Sequence, residues 1–244
     1  MRAVRWLVVV MGTLLGIGLL FYPRINEAVY DHHARTEILA FHQQVEEERS
    51  STKVAATLYP ELLKAMENYN RHLAESGQSE LTSPADYERP ALSLEDYGFS
   101  PDAAIGTISI PSIDLELPLY LGAGKEQMAR GAAVMGGTSL PIGGKSTNCV
   151  IAGHRGFKGI PYFRNLDRLD MGDEVIVTNF WGTLTYSVTG TQIIQPDDLD
   201  AILIEDGTDK ITLLTCHPYT VGTQRLLVFC QRINETENSI HALG

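Results

Sequence analysis

Between Ile105 and Ile233 the chain is a succession of short apolar, β-branched runs broken by turn residues, and this pattern most limits the folds open to it. "IGTISIP", "LELPLYLG", "TNCVIAGH", "DEVIVTN", "GTLTYSVTGTQII", "KITLLTC" and "QRLLVFCQRI" each have the length and residue types of a strand. A turn around Phe180 to Gly182 separates the fourth from the fifth. Helical character between them is confined to "KEQMARG" and to "IPYFRNLDRL", which Pro161 can start. About eight short strands with so few helices predict a mainly β domain, a closed or nearly closed barrel over 105–233, and exclude alternating βαβ units. Apolar residues make up 44% of the chain, enough for a packed core.

The first 24 residues are of another kind. "WLVVVMGTLLGIGLLFY", Trp6 to Tyr22, carries no charge, with Arg2 and Arg5 ahead of it and Arg24 behind. Its length is about the minimum for a helix that crosses a bilayer. A cleaved signal peptide and an uncleaved signal anchor both fit; "FYPRINEAVYD" offers no convincing small-x-small cleavage site, which favours the anchor. Arginines before the span place the N-terminus inside and the remainder outside the cell. The expectation is a single-pass membrane protein with an extracytoplasmic domain.

Residues 25–75 form a polar, helix-prone arm. Ile25, Val29, His32, Thr36 and Leu39 recur at three- or four-residue steps, weakly amphipathic, until "SST" at 50–52. Leu62, Met66, Tyr69 and Leu73 make a clearer stripe, with Pro60 in its first turn and Gly77 at its end. The arm reads as a spacer or packing element. Residues 76–104, rich in Ser, Pro and Asp, lack periodicity; loops of this length are lids, binding loops or linkers. Residues 234–244 read as a polar tail. A net charge of −11 argues against a phosphate-binding surface and so against nucleic acid as partner.

Three cysteines make an odd count without a disulfide framework. Cys149 and Cys230 sit inside apolar runs and read as small buried hydrophobes. Cys216 lies just past its run, beside a polar break, and reads either as a buried strand-end thiol or as a reactive one. A reactive thiol needs a base or a positive charge nearby. Of seven histidines, His32, His33, His42 and His72 lie in the arm and His241 in the tail. His217 adjoins Cys216 but points to the opposite face of an extended chain. His154 remains, at the end of "CVIAGH" where a strand gives way to a loop. Arg225 opens the final strand, where an arginine either guards an edge or donates to an oxyanion. Zinc is disfavoured because Cys216 and His217 lack a second ligand pair, and no cofactor is indicated.

"TLLTC" at 212–216, Arg225 in "TQRLLV" and "AGHRG" at 152–156 together resemble the signature of the sortase family, in the order His, Cys, Arg. The resemblance extends over "IGTISIPSIDLELPLYLG", "GGTSLPIGG" and "FRNLDRLDMGDEV", about residues 105–233. "TLLTCHPY", "SLPIGG" and the helical arm are most similar to class C, the pilin-polymerising branch. This resemblance implies an eight-stranded sortase barrel and a cysteine transpeptidase. Such an enzyme cleaves an LPxTG-like sorting signal after its threonine, holds the acyl group as a thioester, and passes it to an amine. It implies Cys216 as nucleophile, His154 as general acid and base, and Arg225 as oxyanion donor or substrate guide. The implied partners are a pilin or surface protein bearing the signal, and a pilin lysine as acceptor.

Class C members often carry an Asp-Pro-aromatic plug over the cysteine, and this chain has no Asp-Pro dipeptide. Asp86-Tyr87 in "SPADYERP" and Asp96-Tyr97 in "LEDYGF" are the alternatives, with an acid toward Arg225 and a ring over Cys216; an ordinary linker fits the segment equally. Two other functions stay open. One is a wall-anchoring sortase with a peptidoglycan amine as acceptor, and the other a catalytically idle barrel that binds surface proteins.

Overall fold

The computed structural model describes residues 2–51, 57–79, 81, 84–156 and 160–233. The tail at 234–244 lies outside them. Helix α1, Arg2–Ser51, is followed by α2, Pro60–Glu75, and by two short 3-10 turns, Pro84–Glu88 and Leu94–Tyr97. The strands are β1 (Gly106–Ile110), β2 (Leu115–Leu121), β3 (Ala132–Val134), β4 (Thr147–Ala152), β5 (Glu174–Asn179), β6 (Thr183–Ile194), β7 (Asp209–His217) and β8 (Gln224–Arg232), with α3, Lys125–Arg130, between β2 and β3. They close in the order β1-β2-β3-β4-β7-β8-β6-β5, an eight-stranded barrel as the sequence pattern requires. β3 is three residues of small and branched side chains, too short to register as a strand from periodicity. "IPYFRNLDRL", expected as a helix, is instead turns ending in a 3-10 turn at Leu166–Arg168.

Strand alternation sorts the side chains into two sets. Ile108, Leu119, Ile151, Val175, Val177, Leu213 and Val228 fill the barrel. Cys149 and Cys230 join them, both register partners of Ile211, and burial pushes both thiols up. On the outer face of the β4–β7–β8 wall, Val150, Ala152, Leu214 and Leu227 form a second cluster under Leu81, Met135 and Ile202.

α1 does not stop where the apolar stretch ends; it continues through Pro23 as one helix. Its N-terminal part is apolar, exposed and long enough to cross a membrane. Its buried stripe is Ala34, Ile38, Phe41 and Val45, offset from the one the sequence suggested: Ile25, Val29 and Leu39 are exposed. The weak periodicity concealed this because two of the four buried positions are alanine and valine among polar neighbours. α2 buries Leu62, Met66, Asn70 and Leu73, with Pro60 at its start. Asn70 is the polar member, donating to the Leu140 carbonyl (3.2 Å) and accepting from the Leu140 N–H (2.7 Å). The arm is therefore packed on the barrel. Phe41, Tyr59 and Phe99 surround Phe180 at 5.0–5.3 Å between ring centroids. Glu37 receives Tyr120 Oη (2.9 Å) and pairs with Arg130 (2.6 Å).

Candidate active site

β7 and β8 are antiparallel, and their register sets Cys216 directly opposite Arg225. Directly opposed residues project from the same face, with Cβ atoms ~4.5–5.5 Å apart. Two residues back, Leu214 opposes Leu227 in the outer cluster, so Cys216 and Arg225 continue that outer face to the mouth of the wall. The loop joining the strands folds over the thiol. A side chain at Gly222, whose φ is +66, would lie 3.9 Å from Cys216 Sγ. Arg225 Nη1 donates to the carbonyls of Gly222 (3.1 Å) and Gln224 (2.9 Å). Those bonds pin one corner of the guanidinium to the loop and leave the rest of the fork to point elsewhere.

β4 lies parallel to β7 on the other side, with Ala152 beside Leu214. The pairing runs one step further: Gly153 N–H donates to the Leu214 carbonyl (3.0 Å) and Thr215 Oγ1 to the Gly153 carbonyl (2.8 Å). His154 stands two residues past the last β4–β7 pair, Ala152 with Leu214. Gly153 has a local reason to be glycine, since a Cβ there would meet the Phe163 ring at 2.7 Å. His154 is half-buried, its carbonyl accepts the Phe163 N–H (2.9 Å), and its ring meets Tyr162 edge-on at 5.6 Å. Burial pulls its pKa down, favouring neutral imidazole. Of the three polar groups singled out in the sequence, Cys216 and Arg225 are thus paired, and His154 follows the end of β4, the strand beside β7.

The two candidate lid pairs part company. The Pro84–Glu88 turn is docked against the barrel: Tyr87 carbonyl accepts from Ala123 N–H (2.9 Å) and Gly136 N–H (3.0 Å). Gly136 has no room for a side chain, because a Cβ would sit 2.2 Å and 2.3 Å from the Arg89 and Asp86 carbonyls. Tyr87 packs on the outer cluster. Burial raises its pKa, while the Arg225 charge pulls it back and Asp86 and Asp197 add to the rise. Tyr97, by contrast, packs against the main core, and Leu94 of the same turn is buried. Asp96 and Tyr97 thus belong to the core side of the molecule, and Asp86 and Tyr87 to the side that carries Arg225.

Sequence reasoning passed over Arg155, although it stands inside "AGHRG". Its side chain is 5% exposed and pairs through Nη2 with Asp167 (2.7 Å). Nη1 lies 2.9 Å from His217 Nδ1 and 3.4 Å from the Cys216 carbonyl. A buried arginine and an exposed one look alike in sequence; the only hint was its place beside His154. Among the described residues no three His, Cys, Asp or Glu side chains are grouped to hold a metal ion.

Residues 108–233 match the family model described as the sortase domain. The lid mutant of sortase C1 from Streptococcus agalactiae superposes with a TM-score of 0.69 at 30% identity, covering 82% of this chain and 99% of that one. Sortase C from Clostridium perfringens, solved with the C-terminal cell wall sorting motif, gives 0.66 at 29% identity, over 82% of this chain and 100% of that one. In sequence, sortase A of Bacillus anthracis is 30% identical over 163 residues, which are 66% of this chain and 73% of that protein.

Proposed function

The chain belongs to the sortase family, the cysteine transpeptidases, and on that premise we propose that it is a class C enzyme. In this reading it cleaves an LPxTG-like sorting signal and joins the released acyl group to a pilin lysine. The observation that carries the proposal is the pairing of Cys216 with Arg225 across β7–β8, with His154 two residues past the end of β4, the strand beside β7. The class C architecture of the structural neighbours supports the branch.

Cys216 Sγ attacks the threonine carbonyl carbon of the signal, giving up its proton to His154. The tetrahedral oxyanion is met by the donors of Arg225 that the loop carbonyls leave unused, a planar array that an ammonium cannot reproduce. On collapse, the C–N bond to the next residue breaks and His154 returns the proton to the departing amine. The lysine amine then attacks the thioester, and His154 takes its proton and passes it to Cys216, which leaves as the thiol. The lowered pKa of His154 suits the base role at neutral pH.

The Pro84–Glu88 turn is the closing element in this reading, with Tyr87 near Arg225. The apolar part of α1 is the membrane anchor, N-terminus inside and barrel outside. Seven helical residues from Pro23 to Val29, roughly 10 Å, separate it from Tyr30, whose hydroxyl donates to the Arg130 carbonyl (3.1 Å). The continuous helix therefore holds the rim near the bilayer, where secreted substrates emerge.

Purified enzyme mixed with a pilin carrying a sorting signal is expected to give a ladder of covalent oligomers, lost in Cys216→Ala. Transfer to a peptidoglycan amine without a ladder would instead indicate wall anchoring. Unchanged function in Cys216→Ala would indicate a binding barrel.

A further inference from the structure

Arg155 follows His154, and His217 follows Cys216. On β7 neighbours face opposite ways, so His217 projects away from the face that carries Cys216, and Arg155, in the bend after β4, meets it there. Arg155 bonds there in two directions: Nη2 to Asp167, on the Leu166–Arg168 turn, and Nη1 to His217 Nδ1 and the Cys216 carbonyl. Arginine only donates, so His217 Nδ1 must accept and the imidazole proton sits on Nε2. The Gly153–Leu214 and Thr215–Gly153 bonds tie the β4 exit to the end of β7 as well.

We infer that Arg155 is a positioning residue, clamped by Asp167, that uses His217 to fix the spacing of His154 and Cys216. The inference rests on the reading of those two as the reacting pair. Asp167 is 52% exposed at its side chain while Arg155 is 5% exposed, so the anchor stands at the surface and the fork reaches inward. Burial removes the competition of water from the fork, and its two-way geometry is one that lysine cannot supply. Displacement of the pair by ~1 Å is enough to slow chemistry ~100-fold. His217 therefore acts as an acceptor held in place, not as a second base.

The test is steady-state cleavage of a sorting-signal peptide by the full chain. Arg155→Lys is expected to lower kcat by roughly tenfold or more while KM stays within about twofold, because the loss is in alignment and not in substrate contacts. His217→Asn, which keeps an acceptor near Nδ1, is expected to retain kcat within about threefold, whereas His217→Leu falls as far as Arg155→Lys. The double variant Arg155→Lys/His217→Leu is expected to be no slower than either single one. Equal rates for His217→Asn and His217→Leu, a loss confined to KM, or additive losses would overturn the inference. Cys216→Ala and His154→Ala in the same assay separate the two levels. Activity in those variants removes the underlying reading, while inactivity there with normal Arg155→Lys kinetics removes the clamp alone.

Discussion

Cys216 and Arg225 are direct cross-strand partners, opposed in the β7–β8 register and facing the same way off the outer wall of the barrel. A thiol at one strand exit and a guanidinium at the next strand entrance are thus neighbours, fixed by backbone pairing. Replacing Arg225 by lysine keeps the charge and removes the fork. Loss of an oxyanion donor costs ~100- to 1,000-fold in kcat, and that is the expected loss for Arg225→Lys with KM little changed. Near-normal kcat in the variant would take the arginine out of the mechanism.

The docked Pro84–Glu88 turn leads to a second expectation. A methyl group at Gly136 has no space beneath the Asp86 and Arg89 carbonyls, so Gly136→Ala must lift the turn without touching the rim. Alkylation of Cys216 by iodoacetamide is expected to quicken roughly tenfold, the equivalent of about 1.4 kcal/mol of docking removed. Tyr87→Ala is expected to act in the same direction. Alkylation rates unchanged in both variants would show that the turn does not cover the thiol.

His154 gives a pH dependence with a definite sign. Burial lowers its folded-state pKa below the ordinary value of 6.5, so the unfolded chain binds the proton more readily. Stability is therefore lost as pH falls through the unfolded value, and the loss is complete below the folded one. His154→Gln is expected to lose less melting temperature between pH 7.5 and pH 5.0 than the parent. In the active enzyme, the acid limb of kcat/KM is expected to fall below pH 6.5. An acid limb above that value would contradict the assignment of the imidazole.

The arm contributes stability through Asn70, which satisfies both backbone groups of Leu140. Asn70→Leu leaves the buried Leu140 N–H without that partner, while the Leu140 carbonyl keeps the Ile142 N–H, and an unsatisfied buried donor costs ~1–3 kcal/mol. A loss of roughly 2 kcal/mol or more in urea unfolding is expected, against no change if α2 were only a spacer.

Much of the barrel was legible because strand patterning and turn punctuation are local signals. β3 was not, being three residues long and held by pairing with β2 and β4. The stripe of α1 was misjudged by a few residues because a helix with an anchor at one end and polar faces at the other carries little moment of its own. Among the candidate site residues, Cys216, His154 and Arg225 stood out in the sequence as polar groups at strand ends. Arg155 and Asp167 did not, since their pairing depends on a turn at 166–168 closing against the β4 exit. Telling Asp86-Tyr87 from Asp96-Tyr97 also needed the fold: Tyr87 packs on the outer cluster and Tyr97 against the main core.

The most direct measurement is intact-protein mass spectrometry of the enzyme incubated with a sorting-signal peptide and no amine acceptor. The expected result is a mass increase equal to the peptide fragment ending at threonine, located on Cys216, discharged by a lysine amine and absent from Cys216→Ala. Peptide cleavage with no adduct on Cys216, or an adduct that persists in Cys216→Ala, would contradict the account.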